Sequence, residues 1–228
     1  MKKIIKVVLL FILLINCSYA QTCSFVSLDS FGGKPTNYSG NPNLDNFLTS
    51  EYNNLVNCFG VKPNSFYIIE DGSANAFASS SITNDSYLDG TVILGLKLVN
   101  QECNSSQSKT CVAMAVVMAH EFAHILDFKH KFVSGQPKNK ELFADYMAGV
   151  YLHTRELTYS FTDIKEAVNS IYTKGDTDFN SLQHHGTPLE RMNSLLAGYN
   201  YSKQKFNKGI YNISVFEAMI SAKNYLLF

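Results

Sequence analysis

The sequence predicts an α+β fold that is mostly helical. Six segments carry apolar residues at helical spacing, and two short β-type segments each lie beside an Asp-Gly turn signal. No internal repeat, low-complexity tract or linker-like stretch divides the chain, so a single domain is expected.

Taken in order, residues 21–43 are rich in Gly, Pro, Asn and Ser and read as an irregular lead-in. Apolar residues at 44, 47, 48, 52, 55, 56 and 59 predict the first helix. Phe66–Glu70, before Asp71-Gly72, and Thr91–Leu96, after Asp89-Gly90, are the strand candidates. A polar loop over 100–110 leads into a strongly apolar helix at about 110–130. Gly135-Gln136-Pro137 then separates it from a helix at 139–156. Further helices are expected at 162–173, 188–197 and 213–226, the last with an aromatic run suited to core packing.

The chain has 228 residues, 46% of them hydrophobic and 17% charged, which is apolar enough to form a core. Nineteen basic residues balance nineteen acidic ones, so charge offers no argument for a nucleic-acid or anionic-membrane partner. Lys2, Lys3 and Lys6 precede an unbroken apolar run from Val7 to Ile15, and Ser18-Tyr19-Ala20 forms a small-residue cleavage site. Residues 1–20 therefore read as a secretory signal peptide, with an apolar run well short of the ~20 residues a spanning helix needs. Lipoprotein anchoring through Cys17 is the weaker alternative, because Asn16 stands where a small residue is usual.

The expected mature chain, 21–228, keeps 208 residues and loses three lysines, which leaves a net charge of −3. It is expected in the periplasm or outside the cell. Its four cysteines suggest two disulfides, Cys23–Cys58 and Cys103–Cys111 being the favoured pairs, the second closing a short polar loop. A cysteine zinc site is disfavoured because no C-x-x-C pair is present.

His120-Glu121-Phe122-Ala123-His124 is an H-E-x-x-H match inside the apolar helix. Positions i and i+4 share a helix face, so both imidazoles can converge on one ion, with Glu121 beside them as a general base for an activated water. A zinc site of this kind needs a third protein ligand. Glu141 opens the next helix, and Asp145, one turn on, is placed to accept the N–H of a ligating histidine. His130 competes, because H-E-x-x-H-x-x-D-x-x-H has metzincin spacing, with Asp127 in place of the expected Gly. That Gly lets a helix end and turn, which Asp does less readily, so Glu141 is the favoured ligand.

Three stretches together resemble the gluzincin metallopeptidases of the HtpX, BepA and prenyl-protease type. Asn75-Ala76-Phe77-Ala78, followed by Gly90–Gly95, is similar to that family's N-A-F-A segment and cleft-side edge strand. His120 to His124 with Glu141-x-x-x-Asp145 is similar to its two ligand helices. His185-Gly186-Thr187-Pro188-Leu189-Glu190-Arg191 is similar to its H-P-x-x-x-x-R element, and more so to the H-G-T-P form of a related group of neutral zinc peptidases.

The resemblance implies a gluzincin-type domain with an active-site helix, a Glu-bearing ligand helix and a small edge-strand sheet. It implies zinc endopeptidase activity on polypeptides, with one zinc held by His120, His124 and Glu141 and with Glu121 as base. Asp145 would orient a ligand, and His185 and Arg191 would complete the cleft. Asn75, Ala76, Phe77, Thr91, Val92 and Ile93 would face substrate, with strand addition making cleavage tolerant of side chains. His185 would donate to the oxyanion. Two alternatives are carried forward: a metzincin-like protease using His130, and a non-catalytic zinc-stabilised binding domain. The chain departs from the family in having no membrane span, in Gly186 standing where Pro is commoner, and in lacking a tetratricopeptide array.

Overall fold

The computed structural model describes residues 35–69, 75–81, 88–104, 110–174 and 185–227. Residues 1–20, expected to be a signal peptide, and Cys23 lie outside them. Four strands form one sheet in the order β1-β2-β4-β3: β1 (Pro35–Thr36), β2 (Asn64–Ile69), β3 (Ala76–Ser79) and β4 (Thr91–Gly95). β2 and β4 run parallel, and the outer pairs are antiparallel.

This order corrects one expectation. Thr91, Val92 and Ile93 lie in an inner strand, hydrogen-bonded to β2 on one side and β3 on the other. Its backbone is therefore taken on both sides. Among the described residues the strand at this edge of the sheet is β3, with Ala76 and Phe77 in it and Asn75 just before it; the Asn75 carbonyl accepts Gly95 N–H at 2.8 Å.

Seven helices follow from the described residues. α1 (Pro42–Phe59) starts under an Asn41 cap, whose side chain accepts from the Asn43 and Leu44 amides. It ends on Gly60 in the left-handed conformation. α2 (Leu96–Asn104) occupies part of the expected polar loop; only Leu98 and Val99 are buried, too few to mark a helix in the sequence. α3 (Val112–His130) is buried continuously from Val112 to Asp127, as a helix apolar all round must be. It packs against β3 and β4, α1, α2, α4 and α5 and forms the centre of the molecule.

α4 (Pro137–Thr154) begins with Pro at its first position, and α5 (Phe161–Thr173) begins with a Ser160–Asp163 capping box. α6 (Pro188–Asn207) begins with a Thr187–Glu190 box and runs ten residues beyond the expected end. Gly198 does not stop it. It is instead a point of close approach: a Cβ there would sit 1.8 Å from the Tyr146 carbonyl oxygen, and one on Gly149 would sit 1.9 Å from that of Leu195. The two glycines let α4 and α6 pack nearly backbone to backbone. α7 (Val215–Leu226) covers α4. Cys103 and Cys111 are disulfide-bonded, Cα atoms 4.3 Å apart. Among the described residues no helix is long and apolar enough to cross a membrane.

Candidate metal centre

The centre is built where α3 meets α4. One helical turn separates His120 from His124, and their Nε2 atoms approach to 3.1 Å. The second turn of α4 brings in Glu141, with Oε2 at 3.3 Å from His120 Nε2 and Oε1 at 3.5 Å from His124 Nε2. All three residues are buried. The group is able to hold a metal ion, its ligand atoms all lying within 4.8 Å of one another.

The surroundings of His120 decide which of its nitrogens faces the group. Asp145 Oδ1 lies 2.8 Å from His120 Nδ1. Asp145 is gripped in turn by Arg191, whose Nε donates to Oδ2 at 2.8 Å and Nη2 to Oδ1 at 3.0 Å. Against its own burial, this guanidinium, with His120, holds Asp145 below the usual carboxylate range. A carboxylate there accepts, so Nδ1 carries a proton, and Nε2 is the nitrogen that faces Glu141 and His124 and would bind a metal. Burial disfavours charge on His120, but Asp145 and then Glu141 outweigh it and raise its pKa to about 9. Burial is the main cause lowering His124 to about 3. Glu141 is pushed up by burial, yet His120, His124 and His185 hold it well below the carboxylate range. Glu141 Oε2 is buried with no well-directed donor. A proton on His120 Nε2 or a metal ion can therefore stand between that nitrogen and the Glu141 carboxylate.

The remaining sequence-predicted residues fall as follows. Glu121 is buried on α3, one position on from His120. His185 is buried, its Nδ1 3.6 Å from Glu141 Oε1. Gly186 has φ +94°, which proline cannot adopt, so the Gly in this element turns the chain back into the Thr187 cap as Pro would not. Arg191 binds Asp145 rather than solvent, and its Nη1 donates to the Lys174 carbonyl at 3.1 Å.

His130 does not join the group. α3 continues through Asp127 to His130, which is exposed and packs edge-on to Phe216 at 5.7 Å. Lys131, not residue 127, takes the left-handed turn. Asp127 accepts the Val133 amide at 2.6 Å and so closes the turn after the helix.

The sequence reading missed Lys174, which acts through its carbonyl, and Glu102, which binds the Lys174 ammonium at 2.5 Å. A carbonyl leaves no mark on residue type; an isolated Glu-Lys pairing 72 residues apart leaves little more. No protein family, curated protein or solved structure matches this chain.

Proposed function

We propose that the protein is an exported zinc-dependent endopeptidase of the gluzincin type, with His120, His124 and Glu141 as ligands and Glu121 as general base. One observation carries the reading: the buried His120 and His124 Nε2 atoms stand 3.1 Å apart, with Glu141 Oε2 at 3.3 Å from the first and its Oε1 at 3.5 Å from the second. A tetrahedral ion held by N and O donors at 2.0–2.1 Å requires ligand atoms about 3.3 Å apart. Two imidazoles and one carboxylate are also a zinc-hydrolase ligand set, with a fourth position left for water.

Zinc held there supplies a Lewis acid that makes water a nucleophile near neutral pH. The protein supplies the rest. Glu121 takes the water proton as oxygen attacks the peptide carbonyl, then passes it to the leaving amine. His185 donates to the oxygen that becomes negative. Asp145 and Arg191 keep the His120 proton on Nδ1, so Nε2 stays a ligand. β3, the last strand of the described sheet and packed against α3, offers backbone for pairing with an extended peptide.

Purified protein should contain one zinc and cleave unfolded casein in a chelator-sensitive way. Glu141→Ala should lose the zinc, and His130→Ala should keep it. Bound zinc without chelator-sensitive cleavage would instead support the zinc-stabilised binding domain. Protein that takes up no zinc would reduce the motif to coincidence.

A further inference from the structure

Each cysteine of the Cys103–Cys111 bridge stands beside a residue that grips α5. Glu102, next to Cys103, accepts from Ser170 Oγ at 3.0 Å and from Lys174 Nζ at 2.5 Å, at the carboxyl end of that helix. Thr110, next to Cys111, donates to Asp163 Oδ1 at 2.6 Å, at the amino end, where Asp163 also closes the capping box. The disulfide therefore ties together the two holds on α5. It also ties both to the start of α3, since Cys111 is the residue from which the ligand-bearing helix begins.

The carboxyl end of α5 leads on to the metal centre. The Lys174 carbonyl accepts from Arg191 Nη1, Arg191 grips Asp145 with two donors, and Asp145 holds His120 Nδ1. Glu102, Lys174, Arg191, Asp145 and His120 thus form an unbroken sequence of contacts from the bridge to a ligand. The Lys174 and Glu102 side chains are only 11% and 14% exposed, so this ion pair is shielded from the solvent screening that weakens surface pairs.

We propose that the Cys103–Cys111 disulfide sets the affinity of the His120–His124–Glu141 centre for its metal, with Glu102 as a positioning residue acting through Lys174 and Arg191. The proposal rests on the metal-site reading above. Opening the bridge is a two-electron reduction: the Sγ–Sγ bond breaks, two thiols form, and two glutathione molecules supply two electrons and two protons and become one glutathione disulfide. The two holds on α5 then move independently. Lys174 no longer presents its carbonyl at a fixed place, and the Arg191–Asp145 grip on His120 loosens. Coupling between sites is typically 5- to 150-fold in affinity, and a chain of four contacts places the expected effect near tenfold.

The test is the zinc Kd of the full-length oxidised chain, by competition with a chromophoric chelator. The variants are wild type, Cys103→Ser/Cys111→Ser, Glu102→Gln and the triple change; the serines stand for the open bridge without adding thiols that bind zinc. The double-serine variant should bind about tenfold more weakly, Glu102→Gln alone by a similar factor, and the triple variant little more than the worse of the two, because all act on one path. A double-serine Kd within twofold of wild type overturns the proposal, as do effects that multiply. A lowered melting temperature with unchanged Kd makes the bridge purely structural and also overturns it. Should the serine variant not fold, Glu102→Gln decides alone, an unchanged Kd being fatal. Wild-type protein that binds no zinc fails the metal-site reading itself, whereas wild-type binding with insensitive variants fails only this inference.

Discussion

Glu121 and Asp145 are buried carboxylates to which the proposed mechanism gives different work. Glu121 holds no ligand position, so Glu121→Gln should keep one zinc per chain and lower kcat by about 10²- to 10⁴-fold, measured by metal analysis beside casein cleavage. Asp145 accepts from both His120 and Arg191. Asp145→Asn should weaken zinc binding by about 10- to 100-fold, readable by chelator competition. A third carboxylate reports on pH. Burial pushes Glu190 up, but Lys138 and the Thr187 amide and hydroxyl together outweigh it and lower the pKa from 4.5 to about 2. A depressed folded-state pKa adds stability above the unfolded value and loses it as pH falls through the folded one. Stability from Glu190 should therefore be complete above about pH 4.5 and disappear towards about pH 2. Glu190→Gln should flatten that part of the melting-temperature profile.

Between elements, the decisive contact is α4 against α6. It carries Glu141 and Asp145 on one side and Arg191 on the other, and it depends on Gly149 and Gly198. Gly149→Ala forces its Cβ into the Leu195 backbone, which cannot yield as a side-chain tip would. A loss of at least about 2 kcal/mol is expected in urea unfolding, with zinc affinity falling as Arg191 is pushed from Asp145. The same contact explains an error of reading. Gly198 is a helix stop by residue type but a packing point in fact, so α6 is ten residues longer than its sequence pattern suggests. α3 and α4 were legible because their apolar patterns are long; β1 and α2 were not, since two and nine residues carry too little periodicity, and β3 was marked only by the resemblance of its residues to the N-A-F-A segment.

For the whole molecule, the metal should be a stabilising ligand. At zinc concentrations of 100 times Kd it contributes about 2.7 kcal/mol, so chelation should lower the melting temperature by about 5–10 °C for a chain of this size. Calorimetry with and without chelator checks this, and Glu141→Ala should remove the difference.

By itself the sequence determined the two histidines as a pair, because i and i+4 share a face in any helix and require nothing from the rest of the chain. It also indicated the Cys103–Cys111 bridge, a short-range closure. The tertiary structure decided the rest. Glu141 rather than His130 completes the group because α4 packs across α3, whereas α3 carries His130 on to the surface. Arg191 serves Asp145 because α6 approaches α4 at two glycines. Among the described residues β3 rather than β4 forms an edge of the sheet because β4 pairs on both sides. Each of these outcomes depends on contacts between segments distant in sequence, set by how whole helices and strands fill one core, and no local pattern of residues encodes that.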